Sequence, residues 1–162
     1  MNWEYLHLVT HSFPIVLSMT GAGVGLVGWG TGRPELERWG VLALLVGGAF
    51  VVPAYFTGLA AADVAAERTF VRPSVVQDHR FAATWAMVPL LLAGALAGFS
   101  LYDREDARLR RFVLLVGLVA AGAAGYTAYL GSGIEHRAPA SDAGADAPGQ
   151  DPAGRHAGRA PA

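Results

Sequence analysis

The chain has 162 residues, enough for one compact domain, and is 53% hydrophobic but only 15% charged, against roughly 25% charged in an ordinary soluble domain. A formal net charge of -1 speaks against a polyanionic partner. With no Cys, disulfides, thiolate metal sites, Cys nucleophiles and covalent c-type haem attachment are all excluded.

The opening Met1-Asn2-Trp3-Glu4 has neither a basic n-region nor a small-residue cleavage site, so no cleaved signal peptide is expected. From there Tyr5–Gly32 runs without Asp, Glu or Arg. Three more such stretches follow: Trp39–Ala62, Phe81–Tyr102 and Phe112–Ile134. Each reaches the roughly 20 residues a helix needs to cross about 30 Å of hydrocarbon. They are apolar almost all round, whereas a soluble helix keeps a polar stripe. They lack the alternation of a transmembrane barrel. The expected fold is all-α: an antiparallel up-down bundle of four transmembrane helices, at about 5–31, 39–62, 75–102 and 109–132, in a domain of residues 1–136.

The first helix carries His7 and His11, which share a face at a spacing of four. Pro14 follows and removes the usual partner of the Thr10 carbonyl. Further on, Gly23-Val24-Gly25-Leu26-Val27-Gly28 spells a dinucleotide-binding fingerprint. That motif needs a soluble strand-turn-helix context, so in the middle of a membrane span it reads as close helix packing. Gly21/Gly25, Gly94/Gly98 and Ala121/Gly125 read the same way, as small residues that let backbones approach.

The connection after the second helix, Asp63–Arg80, is the long one. Ser74 and Gln77 fit a capping box, which puts the start of the third helix near Val75 and His79 about one turn inside it. The last helix runs into Gly131-Ser132-Gly133-Ile134-Glu135-His136, expected to be a glycine helix stop and a tight turn. The remainder, 137–162, is rich in Ala, Pro, Gly and Asp; it is expected to be a disordered tail, His156 included. Trp3, Tyr5, Trp29, Trp39 and Tyr102 mark the interfaces.

An even number of crossings returns His7, His11, His79 and His136 to one face of the membrane. Candidate acids on that side are Glu4, Asp63, Glu67, Asp78 and Glu135. Neutral imidazole is the commonest metal ligand, and polar groups held within membrane helices are costly and usually functional. Two chemistries are open: a transition metal held by the four His, or a b-type haem with His11 and His79 as axial ligands. Under the second, His7 and His136 form a further pair or outer partners. Against both stands the plainer reading of His hydrogen-bonded in the headgroup zone. Thr57-Gly58, Tyr126, Thr127 and Tyr129 fall in the same layer, as polar donors behind the His or as ordinary interfacial residues.

No Ser-His-Asp order, Walker loop or HExxH occurs, so a stand-alone enzyme is not expected. Neither is nucleic-acid binding, because the Arg residues do not interleave with aromatics. The loops Arg33–Arg38 and Asp103–Arg111 hold six Arg against four on the other side. The positive-inside rule therefore puts those loops in the cytoplasm, with both termini and the His cluster on the outer side of the inner membrane.

The residues His7-Leu8-Val9-Thr10-His11-Ser12-Phe13-Pro14-Ile15 resemble the opening of a bacterial four-helix membrane family, domain of unknown function 2231. Pro53-Ala54-Tyr55-Phe56-Thr57-Gly58 looks like the Pro-x-x-x-Thr-Gly that ends its second helix, and Asp78-His79 like the His opening its third. Tyr126–His136 looks like its closing aromatic, Gly-x-Gly and His. Two positions depart from that pattern: Thr10 stands where Asn is usual, and Arg80 where Glu is. The loss of Glu weakens a carboxylate-containing metal site more than a bis-His haem site. Relatives fused to cytochrome c or Rieske-type domains imply, by association, a cytochrome or other respiratory subunit as partner. The resemblance thus implies a redox subunit with haem or a metal. The rivals are a non-catalytic accessory subunit of a larger complex and, less well supported, a proton-linked transporter; a homo-oligomer is compatible with each.

Overall fold

The computed structural model describes residues 2–66, 73–103 and 106–136; the expected tail, with His156, lies outside them, as does Glu67. Four helices account for nearly all of it: α1 (Trp3–Thr31), α2 (Pro34–Ala66), α3 (Pro73–Tyr102) and α4 (Ala107–His136). No strand occurs among the described residues. All four are long and apolar enough to cross a membrane. At 1.5 Å per residue, about 30 residues span about 45 Å, so each helix runs past the hydrocarbon into the headgroup layer.

Capping chemistry explains why the helices outrun the apolar spans. Asn2 caps α1 through its Oδ1, which accepts from the Tyr5 amide at 3.1 Å. Asp106 caps α4, accepting from the amides of Arg108 and Leu109. α2 begins at Pro34 with Glu35 and Glu37 in its first turn, a favourable proline position and favourable charges beside the helix dipole. The loop expected at Arg33–Arg38 thus shrinks to Gly32 and Arg33. Gly32 takes a left-handed φ of 67°, and the amides of Gly32 and Arg33 close back on the carbonyls of Trp29 and Gly28, a Schellman ending.

Two expected boundaries are corrected. α3 starts at Pro73, so Ser74 lies within the first turn rather than capping it; proline at the first helical position supplies the start. Gly131 and Gly133 do not stop α4, which continues to His136. Among the described residues Gly32 is the one with positive φ.

α1 packs on α2 and α4, and α3 packs on α2 and α4. α2 also meets α4 across one diagonal, whereas α1 and α3, on the other diagonal, scarcely touch. The interior is built from small side chains, with Ala22, Ala93, Ala97 and Ala120 all 1% exposed or less. Leu44, Val41, Val113 and Leu114 fill the half nearer the two hairpin turns. Large apolar residues such as Val16, Phe99 and Val119 point outward, as they do when lipid rather than water surrounds the bundle.

Glycine sets the close approaches. A Cβ on Gly40 would lie 2.6 Å from the Gly25 Cα, and one on Gly48 would lie 2.7 Å from the Gly94 Cα. Two of the three fingerprint glycines are packing residues: Gly25 and Gly28 are buried, whereas Gly23 meets nothing. Of the small-residue pairs, Gly21 and Gly94 sit against backbone, whereas Gly125 faces open space. Because the atom opposing Gly48 is main chain, no rotamer can relieve the clash. Gly48→Ala is expected to destabilise the bundle by roughly 1–3 kcal/mol, read as a lowered melting temperature in detergent. Gly125→Ala is expected to leave it unchanged.

Candidate functional site

At the end of the bundle away from the short hairpin turns, the gap between α1 and α3 opens into a cavity of about 530 Å³. His7, His11 and His79 all line it, with Glu4 and Arg80 at its edge and Ala54, Gly58 and Gly131 from α2 and α4. The structure thus brings three of the four expected imidazoles together. α4 carries the His136 backbone to the same end; the side chains of Glu135 and His136 lie outside the described residues.

Each of the three imidazoles is anchored by Nδ1 to a backbone carbonyl. His7 Nδ1 lies 3.1 Å from Ala54 O, His79 Nδ1 lies 3.0 Å from Thr127 O, and His11 Nδ1 lies 2.9 Å from His7 O. A carbonyl oxygen can only accept, so Nδ1 is the nitrogen that donates. The other nitrogen, Nε2, is left with a lone pair. A hydrogen bond at one ring nitrogen decides which tautomer the other presents.

The His7 and His79 settings repeat one another. Each ring reaches from the first helix of a hairpin to a carbonyl 47 or 48 residues on, in the second helix. Each ring then lies against the glycine one turn beyond that carbonyl. A Cβ on Gly58 would come within 2.8 Å of His7 Cε1, and one on Gly131 within 3.1 Å of His79 Cε1. Gly131 is therefore there for space, not for a turn. Gly58→Ala is expected to push the His7 ring off Ala54 O and speed proton exchange at His7 Nδ1, followed by imidazole ¹⁵N NMR. Gly131→Ala, with a few tenths of an ångström more room, is expected to perturb His79 less.

Thr57 stands behind His7. Its Oγ1 is 3.4 Å from His7 Nδ1, 3.0 Å from Thr10 Oγ1 and 2.7 Å from Pro53 O. Thr10, in the place where relatives are expected to have Asn, lies 2.8 Å from Leu6 O of its own helix; with one proton each, one hydroxyl donates to its helix carbonyl while the other donates across to it. The two hydroxyls tie α1 to α2 one turn inside the cavity. Tyr126 and Tyr129, by contrast, are 60% and 71% exposed and belong to the outer surface. Thr127 contributes its carbonyl, while its hydroxyl is bonded to Ala123 O.

The rings of His7 and His11 stack, with centroids 5.0 Å apart and planes 25° off parallel. A ligand lone pair lies in its ring plane, and a metal ion sits about 2.0–2.1 Å from the nitrogen. Two nearly parallel planes at this separation do not converge on one such point. In keeping with that geometry, no group of three His, Cys, Asp or Glu is gathered for an ion among the described residues. Asp63 and Asp78 are exposed.

The carbonyls of Ala54 and Thr127 and the glycines Gly58 and Gly131 are the parts of the site that residue type alone does not flag. No curated protein and no solved structure matches the chain. The family described as predicted membrane protein (DUF2231) matches residues 5–139, and the chain, four apolar helices with a histidine-lined end, belongs to that family.

Proposed function

We propose that this protein is a membrane-embedded redox subunit that holds a b-type haem in the gap between α1 and α3. His79 and an imidazole of the stacked His7–His11 pair on α1 would hold it through their Nε2 atoms. The observation that carries this reading is the common state of the three rings: Nδ1–H is spent on a carbonyl and Nε2 is free beside one cavity. Such a bond orients a metal-bound imidazole and raises its basicity.

The fit is supported by the volume and by the donor set. About 530 Å³ falls within the roughly 300–1,000 Å³ of sites that take sizeable organic ligands. Two imidazoles would suffice to hold a haem, whereas a mononuclear transition metal needs a convergence that the stacked pair works against. Bound haem would supply one-electron transfer. The chain's own share is to aim the two nitrogens, to give the ligand an apolar wall through Ala54, Ala61 and Val76, and to place Arg80 where an acidic group on a ligand edge could be paired. The Arg distribution supports an orientation with this end on the outer side of the inner membrane, facing a cytochrome or similar respiratory partner.

Purification from haem- and metal-replete cells, followed by a visible spectrum and metal analysis, tests the proposal. A Soret band that shifts on reduction is the expected result. A preparation with neither haem nor bound metal overturns it.

One observation favours a second reading, a non-catalytic accessory subunit. The bonds from His7 to α2 and from His79 to α4 cross between helices, so the imidazoles also act as ties within each hairpin. On that reading a substitution that keeps the tie keeps the phenotype.

A further inference from the structure

At the opposite end of the bundle Ser100 departs from a pattern that nine other Ser and Thr hydroxyls keep. Thr10, Ser12, Ser18, Thr20, Thr31, Thr57, Thr84, Thr127 and Ser132 each reach a carbonyl three or four residues back in their own helix. This is how hydroxyls in membrane helices are usually satisfied. Ser100, 3% exposed, has no partner for Oγ among the described residues. It lines a separate cavity of about 420 Å³, with Arg38, Trp39, Leu42, Leu101 and Arg110.

We propose that this cavity binds the phosphate of an anionic phospholipid, with the Ser100 hydroxyl and the Arg38 guanidinium donating to its oxygens. A buried hydroxyl without a partner costs free energy, and an acceptor that enters from outside would supply the partner that Ser100 Oγ lacks. The charge at the cavity suits an anion. Arg38 is exposed at the rim, and Arg110 lies behind it with its Nε bonded to Glu37. Glu35 is the one carboxylate in the lining. It sits in the first turn of α2, exposed; with the Arg110 charge met by Glu37, Arg38 is the guanidinium that faces an entering anion.

Position favours a lipid over a free ion. The lining passes from Arg38 to Leu42 on α2 and takes Ser100 and Leu101 from the last turn of α3, the level at which apolar span gives way to headgroups. Trp39 and Tyr102, 63% and 88% exposed, mark the same level. Basic pockets between helix ends are the usual receivers of anionic headgroups.

The test uses the full chain in neutral detergent, with thermal unfolding and native mass spectrometry in the presence of phosphatidylglycerol, phosphatidylcholine or inorganic phosphate. Phosphatidylglycerol is expected to raise the melting temperature by about 4 °C or more and to persist as a bound adduct; the other two are not. Ser100→Ala and Arg38→Gln are each expected to abolish that rise. Without lipid, Ser100→Ala is expected to melt no lower than the parent, because it deletes an unpartnered hydroxyl, so loss of the lipid response is separable from misfolding. Equal stabilisation of parent and both variants overturns the site. A rise with inorganic phosphate as large as with phosphatidylglycerol overturns the lipid assignment, and so does an equal rise with phosphatidylcholine.

Discussion

His79→Asn and His79→Ala are expected to lose the haem alike while differing in stability. The asparagine amide can stand close to where Nδ1 stands and donate to Thr127 O, yet it offers no nitrogen lone pair. Alanine offers neither. If His79 is an axial ligand, both variants should bind the cofactor far more weakly than the roughly 10–100-fold loss caused by removing an outer partner of a ligand, with the Soret band lost or reshaped. If His79 is only a tie between α3 and α4, asparagine should resemble the parent and alanine should be weakened. The stability cost of alanine on either view is small. Thr127 O sits within α4, whose helix ladder already supplies it a donor, so one net hydrogen bond of about 1 kcal/mol is at stake. A domain of this size would melt roughly 2–4 °C lower for each such kcal/mol. Spectrum and melting curve therefore report on different roles, and a parent-like spectrum in His79→Asn would remove His79 from the ligand set.

The division between what residue types reveal and what they conceal follows from physics at each position. The membrane-spanning, all-helical fold was legible because the bilayer leaves the backbone few options, and four charge-free spans of the right length announce it. Parity of crossings was legible too: it put His7, His11 and His79 at one end, where the structure has them. Helix ends were less so. Pro34 and Pro73 extend α2 and α3 because proline is tolerated in a first turn, and the apolar span alone ends well inside that point. The glycines misled in both directions. Gly131 looks like a helix stop, but at that position its missing side chain makes room for His79, and only the three-dimensional neighbour separates the two uses. The anchoring carbonyls of Ala54 and Thr127 carry no signature, since every residue has a carbonyl. Their trace is indirect: in each hairpin the carbonyl is followed one turn later by a glycine, at nearly the same distance from the histidine it serves. Comparing the two hairpins as halves of a repeat would have exposed Gly58 and Gly131 together.

The two ends of the bundle solve different problems, and the hairpin end holds a buried ion pair. Glu37→Ala is expected to destabilise the protein by about 3–5 kcal/mol, the range for removing one partner of a buried ion pair. Arg110 Nε donates to Glu37 Oε2 at 2.7 Å, and the two side chains are 9% and 3% exposed. Arg111 approaches the other carboxylate oxygen at 4.0 Å and lies 5.6 Å from the centre of the Trp29 ring. Removing Glu37 would leave Arg110 buried beside a second guanidinium with the shared counter-charge gone, and the short turn at Gly32 and Arg33 holds α2 too tightly for the hole to close. Glu37→Gln should cost less, because its amide oxygen still accepts from Nε. Replacing both partners, Glu37→Leu with Arg110→Leu, should recover most of the loss, since well-packed apolar side chains often match a buried pair. The melting temperatures of the three variants and the parent, at low and high salt, check this. The drop in Glu37→Ala should be insensitive to salt, because ions screen exposed charges far more than buried ones. A loss within about 1 kcal/mol, the scale of a surface pair, would show that water reaches Glu37 and that the α2–α4 contact does not depend on it.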